Sequence, residues 1–312
     1  MCNSDGVKVA MSDIQWFPGH MTKALRGIEA DLKTVDAVAE ILDARIPEAS
    51  RNPEIDKIAS HKPRVIILNK RDLADPQATA LWERHYRELG YAVISCDCAS
   101  GRGVNRFEGV LKTALADILA RRADKGMTGR RVRVMILGIP NTGKSSFINR
   151  VAGGRKAAVS DRPGVTRGKQ WVVVGKTAEL LDTPGVLWHK FDDKQAARLL
   201  AYTGAIKDTV VDTEELAADL LEFLTGAGYG EKLTARYGCD VCGGGRDMLA
   251  SVADRRGFRA SGGVLDTLRA AAVVLDEFRG GRIGTITLER PRTEVPRTEV
   301  PRTEVPRTTG AV

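Results

Sequence analysis

The sequence predicts an α/β fold, a mostly parallel sheet with helices on both faces, followed by a small all-α domain. Three observations carry this prediction. From Val35 to Val174, short β-branched runs alternate with longer amphipathic stretches, the pattern of parallel strands joined by helical crossovers. The apolar run Val132–Leu137 leads into Gly138, four further residues, then Gly143, Lys144 and Ser145, a glycine-rich loop set between a strand and a helix. From about Gln195 to Arg279 the chain becomes rich in Ala and Leu at helical spacing, as in Leu216–Leu224.

Taken in order, the patterning predicts strands over Ala37–Leu42, Arg64–Leu68, Ala92–Cys96, Val132–Leu137, Gln170–Val174 and Ala178–Leu181. Helices are predicted over Pro53–Ala59, Pro76–Leu89, Asn105–Arg122 and Lys144–Ala152. Gly243–Gly245 and Gly262–Gly263 follow no strand and carry no Lys-Ser ending, so they read as turns between helices. After Arg290 come three copies of Pro-Arg-Thr-Glu-Val, starting at Pro291, Pro296 and Pro301. A proline every fifth residue blocks helix, and each unit offers little to bury, so 290–312 reads as a disordered tail. The predicted organisation is a flexible 1–11, a nucleotide domain over 12–194, a helical domain over 195–289 and the tail.

A chain of 312 residues suits two domains. Its longest apolar runs, such as Val65–Leu68, are too short to span a bilayer, and no apolar stretch near Met1 ends at a small-residue cleavage site. The expectation is a cytoplasmic protein with no membrane role. Five cysteines, an odd number, argue for reduced thiols; Cys239 and Cys242 have metal spacing but lack a second ligand pair, so no zinc is expected. The 48 Lys and Arg exceed 40 Asp and Glu by a net charge of +8, which points towards a polyanionic partner. Arg121, Arg122, Lys125, Arg130, Arg131 and Arg133 cluster in one stretch, either a solvated linker or a phosphate-contacting patch.

Three motifs carry the chemistry. In the loop Gly138–Ser145, backbone N–H groups and the following helix N-terminus can hold a β-phosphate; Lys144 neutralises β and γ oxygens, and the Ser145 hydroxyl ligates Mg2+. Asn141, Thr142, Gly143 and Ser146 belong to the same cradle. Asn69, Lys70, Arg71 and Asp72 leave a strand at its C-terminal edge, where α/β folds bind ligands. The Asp72 carboxylate can accept from N1 and N2 of guanine, which adenine cannot match, and a missed pairing costs about 1–3 kcal/mol. Asp182 and Gly185, at the two ends of a third motif, would hold Mg2+ through water and contact the γ-phosphate. Thr166 would complete the Mg2+ shell from another loop. Asp97 and Cys98 stand where a further base-contact loop belongs, the Cys98 amide facing the guanine carbonyl. In the usual order the phosphate loop comes first and the base reader last. Here the base reader leads, which defines a circularly permuted P-loop GTPase domain binding GTP and GDP.

The chain closely resembles the YlqF/RbgA family of circularly permuted ribosome-biogenesis GTPases. The likeness runs over about 12–289, through Asp13–Met21, Asp43–Pro47, Ser50–Pro53, the phosphate loop, Leu180–Gly185 and Gly204–Asp208. It implies a GTP hydrolase that binds the large ribosomal subunit as an assembly factor, its helical domain contacting ribosomal RNA. A monomer off the ribosome is expected. The tail lies outside the likeness.

Val186 occupies the position where many GTPases carry a water-orienting glutamine, and an aliphatic side chain cannot bond water. The resemblance implicates His20 as the catalytic group, with His189 as a rival. Asn141 resembles the asparagine of potassium-activated GTPases, which implies K+ beside the phosphates. The alternative is a GTP-dependent RNA-binding scaffold that does not hydrolyse. Because the chain passes from Gly185 into the helical domain within a few residues, loss of the γ-phosphate contact can reorient that domain.

Overall fold

The computed structural model describes residues 18–127, 129–153, 171–187, 193–238 and 243–291, with side chains from Lys23 onward and excepting that of Val210. Thr166, His189, Cys239, Cys242 and the repeats beyond Pro291 lie outside the described residues.

The sheet contains β1 (Ala37–Asp43), β2 (Arg64–Asn69), β3 (Ala92–Ser95), β4 (Val132–Leu137), β5 (Trp171–Val174) and β6 (Ala178–Asp182), in the spatial order β3-β2-β1-β4-β6-β5. All neighbours are parallel except β5 against β6. Every residue of β1 is buried, as a central strand covered on both faces requires. Its side chains alternate at period two: Ala37, Ala39 and Ile41 join one core, while Val38 and Leu42 join cores on the other face. Each such large apolar burial stabilises by roughly 1.5–3 kcal/mol. The order reverses between β1 and β4, the crevice where open α/β sheets bind ligands.

The helices of this part are α1 (Pro18–Leu32), α2 (Pro53–Ile58), α3 (Pro76–Glu88), α4 (Phe107–Ala114), α5 (Ala116–Asp124) and α6 (Lys144–Val151). Helix α3 starts where Pro76 fixes the first turn and Asp75 Oδ1 accepts from the Gln77 and Ala78 amides. The single helix expected over Asn105–Arg122 is instead a 3-10 turn, Val104–Arg106, then α4 and α5. The break falls at Leu115, whose φ of −110° leaves the helical region while its side chain stays buried in the sheet core. Helix α1 was not expected, although Ala24, Leu25, Ile28 and Leu32 mark an apolar stripe at helical spacing.

The basic cluster is only partly paired: Arg121, Lys125 and Arg130 are exposed, while the other three meet acidic neighbours. Arg122 pairs with Asp36, Arg133 lies 3.5 Å from Glu179 and stacks over Trp171 at 5.1 Å, and Arg131 lies 3.9 Å from Glu179. These residues flank the N-terminal end of β4, opposite the edge that carries the motif loops.

The second part packs α7 (Lys194–Tyr202), α8 (Thr213–Leu224), α9 (Gly230–Tyr237), α10 (Gly245–Arg255) and α11 (Thr267–Arg279) around a core of its own. Gly243–Gly244 and Gly262–Gly263 do sit between helices, as expected. Gly245 opens α10 instead, in a place where a Cβ would lie 2.0 Å from the Ala218 carbonyl oxygen. The helical core also takes in Ile46, Ala49, Ile139 and Leu187 from the sheet part. An extended segment after α11 then returns to the sheet part. Ile286 donates its amide to the Leu73 carbonyl at 2.9 Å and Leu288 to that of Arg45 at 2.8 Å, while Glu289 accepts from the amides of Glu48 and Ala49.

Candidate functional site

The loops leaving β2, β3, β4 and β6 converge on one cleft with two lobes. A lobe of about 520 Å3 is lined by Lys144, Ser145, Asp182 and Gly185 among others. A lobe of about 960 Å3 is lined by Asn69, Lys70, Asp72, Asp97 and Cys98 among others. Asn141, Gly143 and Ser146 line both, so the two are continuous across the start of α6.

The phosphate loop is shaped by close backbone approach. Gly138 has φ 148°, and a Cβ there would lie 2.5 Å from the Ile41 carbonyl oxygen; Gly143 has φ 96°, and a Cβ would lie 2.3 Å from Asn69 Nδ2. Ile139 turns its side chain into the helical core and its carbonyl inward, where it accepts from Lys144 Nζ at 2.7 Å and Thr142 Oγ1 at 3.0 Å. Thr142 is therefore a strut of the loop, buried and not lining the cleft. Burial lowers the Lys144 amine to about 8 against the pull of the Asp182 carboxylate. Burial likewise raises the Asp182 carboxyl, opposed by Lys144 and the Thr183 amide.

The larger lobe is joined to the phosphate loop through Asn69. Its Nδ2 donates to the Thr142 carbonyl at 2.7 Å, and its Oδ1 accepts from the Cys98 amide at 3.1 Å. The Cys98 amide, expected to face the base, thus donates to Asn69, because the short turn after β3 folds over that side chain. The Asp97 carboxylate builds the same turn, accepting from the Ala99 amide at 2.8 Å and the Ser100 amide at 3.1 Å; with the Ser100 hydroxyl these bonds outweigh burial and hold it below its ordinary range. Arg71 does not line the cleft; its side chain is exposed and its amide donates to the Cys96 carbonyl at 3.2 Å. Asp72 does line it, and partial desolvation, then Asp97, raises its carboxyl.

Lys70, at φ 60°, reaches back to Asp43 Oδ2 at 2.9 Å. Asp43 is also gripped by Arg45 through Nε at 3.0 Å and Nη2 at 2.7 Å. Burial would raise the Asp43 carboxyl, but Arg45 and Lys70 outweigh it and hold it well below the usual carboxylate range. Arg45 is itself 1% exposed, with its guanidinium over Phe278 of α11 at 5.5 Å. Neither Arg45 nor Arg150, whose Nε donates to the Cys98 carbonyl at 3.2 Å, was singled out as a site residue by sequence reasoning; no local pattern marks partners so far apart in the chain.

Hard oxygen donors suit Mg2+. The Ser145 hydroxyl and Asp182 carboxylate line the same lobe as Lys144, a set that fits an ion shared with a phosphate. Residue 20 falls in the first turn of α1, but its side chain is not among those described, and Thr166 lies outside the described residues. Val186 is 3% exposed, its side chain in the core with Ile28, Trp171 and Leu181, so it cannot touch a water in the cleft.

Residues 133–229 match the family described as 50S ribosome-binding GTPase. Ribosome biogenesis GTPase A of Priestia megaterium is 44% identical over 284 residues, covering 89% of this chain and 97% of that protein. The GDP-bound structure of TM YlqF is similar with a TM-score of 0.61 and 28% identity, over 85% of this chain and 99% of that one. The crystal structure of GNP-bound YlqF from T. maritima gives a TM-score of 0.60 and 28% identity, over 86% and 98%.

Proposed function

We propose that this chain, which belongs to the Ribosome biogenesis GTPase A family, acts on the large ribosomal subunit as a GTP-driven assembly factor. It is a GTPase of ribosome biogenesis with a circularly permuted nucleotide domain. The observation that carries the site reading is the Asn69 bridge, which ties the loop reading the base to the loop holding the phosphates. In the reading we propose, Asp72 accepts from guanine, with Asn69, Lys70 and the turn at Asp97 and Cys98 shaping the base lobe. The amides of Asn141, Gly143, Lys144 and Ser145 hold the phosphates and Gly185 meets the γ-phosphate. Ser145, Asp182 and Thr166 would hold Mg2+, which when bound neutralises charge developing on the phosphate oxygens.

The segment carrying His20 supplies the group that orients water, since Val186 is turned into the core. Asn141 adds a ligand for K+. The helical domain contacts ribosomal RNA, a role supported by the exposed Arg246, Arg255, Arg259 and Arg269 and by the net charge of +8. The protein works in the cytoplasm and is a monomer away from the ribosome.

The test is multiple-turnover phosphate release from GTP and ATP, with and without large subunits. GTP is turned over and ATP is not, subunits stimulate, and His20→Ala slows turnover with nucleotide affinity retained. Asp72→Asn shifts preference towards xanthosine triphosphate, whose C2 carbonyl accepts where guanine donates. Phosphate release at background with subunits present would favour the non-hydrolysing scaffold, and equal use of ATP would remove Asp72 from base reading.

A further inference from the structure

The stretch Ser50–Pro53 has no role in the reading above, yet it holds a side-chain hydrogen bond to the segment after Gly185. Asn52 is 1% exposed and uses both ends of its amide. Its Oδ1 accepts from the Glu54 amide at 3.0 Å, capping α2, and its Nδ2 donates to the Val186 carbonyl at 3.0 Å, 134 residues away in the chain. The post is rigid. The Asp43 amide donates to Ser50 Oγ at 3.1 Å, and Tyr86 OH donates to the Pro47 carbonyl at 3.1 Å.

Helix α2 has six residues and begins at Pro53, so any good capping residue would start it equally well. Aspartate would cap as well as asparagine but could not donate to Val186. Val186 and Leu187 bury their side chains in different cores, which leaves the carbonyl as the group that sets the rotation of this backbone. Gly185, directly before it, sits so close to the phosphate loop that a Cβ would lie 2.7 Å from Lys144 Nζ and 2.9 Å from the Pro140 nitrogen. A small rotation at Val186 is therefore felt where the γ-phosphate would lie.

We propose that Asn52 is a positioning residue for GTP hydrolysis: by holding the Val186 carbonyl it sets the Gly185 amide at the γ-phosphate. This rests on reading Gly185 as the γ-phosphate contact. GDP has no γ-phosphate, so the effect belongs to turnover and not to GDP affinity.

The experiment compares the full-length parent, Asn52→Asp, Asn52→Ala and Gly185→Ala for GTP turnover with large subunits, GDP affinity and Tm. Asn52→Asp keeps the cap and loses the donor. It is expected to lower kcat by about tenfold or more, the scale of a small misplacement at a reacting centre, with GDP affinity close to the parent and a lower Tm, because a carboxylate buried here faces the Val186 carbonyl without a donor. Asn52→Ala, which loses the cap as well, shows the same drop in kcat with a lower Tm. Parent-like turnover in Asn52→Asp beside an impaired Gly185→Ala would overturn the proposal alone. A fall in turnover matched by an equal fall in GDP affinity would also overturn it, since that is what general loosening produces. Parent-like turnover in Gly185→Ala would overturn the γ-phosphate reading and this proposal with it.

Discussion

Asn141 donates from Nδ2 to the Gly204 carbonyl at 2.6 Å, so the phosphate loop and the turn after α7 share a hydrogen bond across 63 residues of chain. Asn141 holds φ 61°, a left-handed conformation that asparagine tolerates better than most side chains, and the bond fixes the nitrogen end of its amide, which leaves Oδ1 as the end proposed to meet K+. Asn141→Ala should bring the ratio of turnover in potassium to that in sodium chloride, at fixed ionic strength, close to one. Full potassium stimulation in the variant would remove Asn141 from the cation site.

Lys144 offers a second test. Its amine titrates near 8 because burial disfavours the charge, and phosphate oxygens placed beside it restore the charged form. Nucleotide binding at pH 7 should then take up almost no proton at this residue, and binding at pH 9 should take up nearly one. Calorimetry in buffers of different ionisation heat reads this directly; uptake that does not grow with pH would contradict it. The sign for folding follows from the same shift. The folded value lies below the ordinary 10.5, so this group makes stability rise with pH between about 8 and 10.5.

Glu289 works in the opposite sense. Burial raises its carboxyl to about 8 despite the two amides of Glu48 and Ala49 that it accepts from. Its contribution is full below the ordinary 4.5 and is lost as pH rises through 8. Glu289→Gln, which stays neutral, should therefore show a flatter decline of Tm between pH 6 and 9 than the parent. The difference at the alkaline end is on the order of a few kcal/mol. Parallel Tm profiles would show that the carboxyl is not titrating in this range.

Arg45 carries the fourth prediction. Truncating Arg45 leaves the buried Asp43 carboxylate with Lys70 as its cation, so the cost stays below the roughly 3–5 kcal/mol of a buried charge left with no partner. Arg45→Ala should lower Tm accordingly. Arg45→Lys should recover little, because Nε and Nη2 grip Asp43 together and an ammonium cannot form that fork. Full rescue by lysine would show that charge alone matters at this position.

Much of this architecture was legible in the sequence because it is local. The run Val132–Leu137 forms β4 with the bounds expected, and the other strands differ by a residue at an end, since β-branched runs between turn residues have few alternatives. The loops at Asn69–Asp72, Gly138–Ser145 and Asp182–Gly185 were legible because their chemistry needs given residue types at given spacing. Contacts made at a distance were not. Nothing near Asn52 announces Val186, nothing near Arg45 announces Phe278, and the segment at Ile286 and Leu288 has too few residues for a period. The break at Leu115 carries no glycine or proline, so the stretch reads as one helix until the sheet beneath it is seen. Arg71 was grouped with its neighbours because a tetrapeptide motif gives spacing and not direction.

Ile139 belongs to the phosphate loop by its carbonyl and to the helical core by its side chain, in company with Ile46, Ala49 and Leu187. Excising either half would strip these four of cover and present a greasy scar to solvent. Fragments ending near residue 187 are therefore expected to clump, and the molecule must be studied whole.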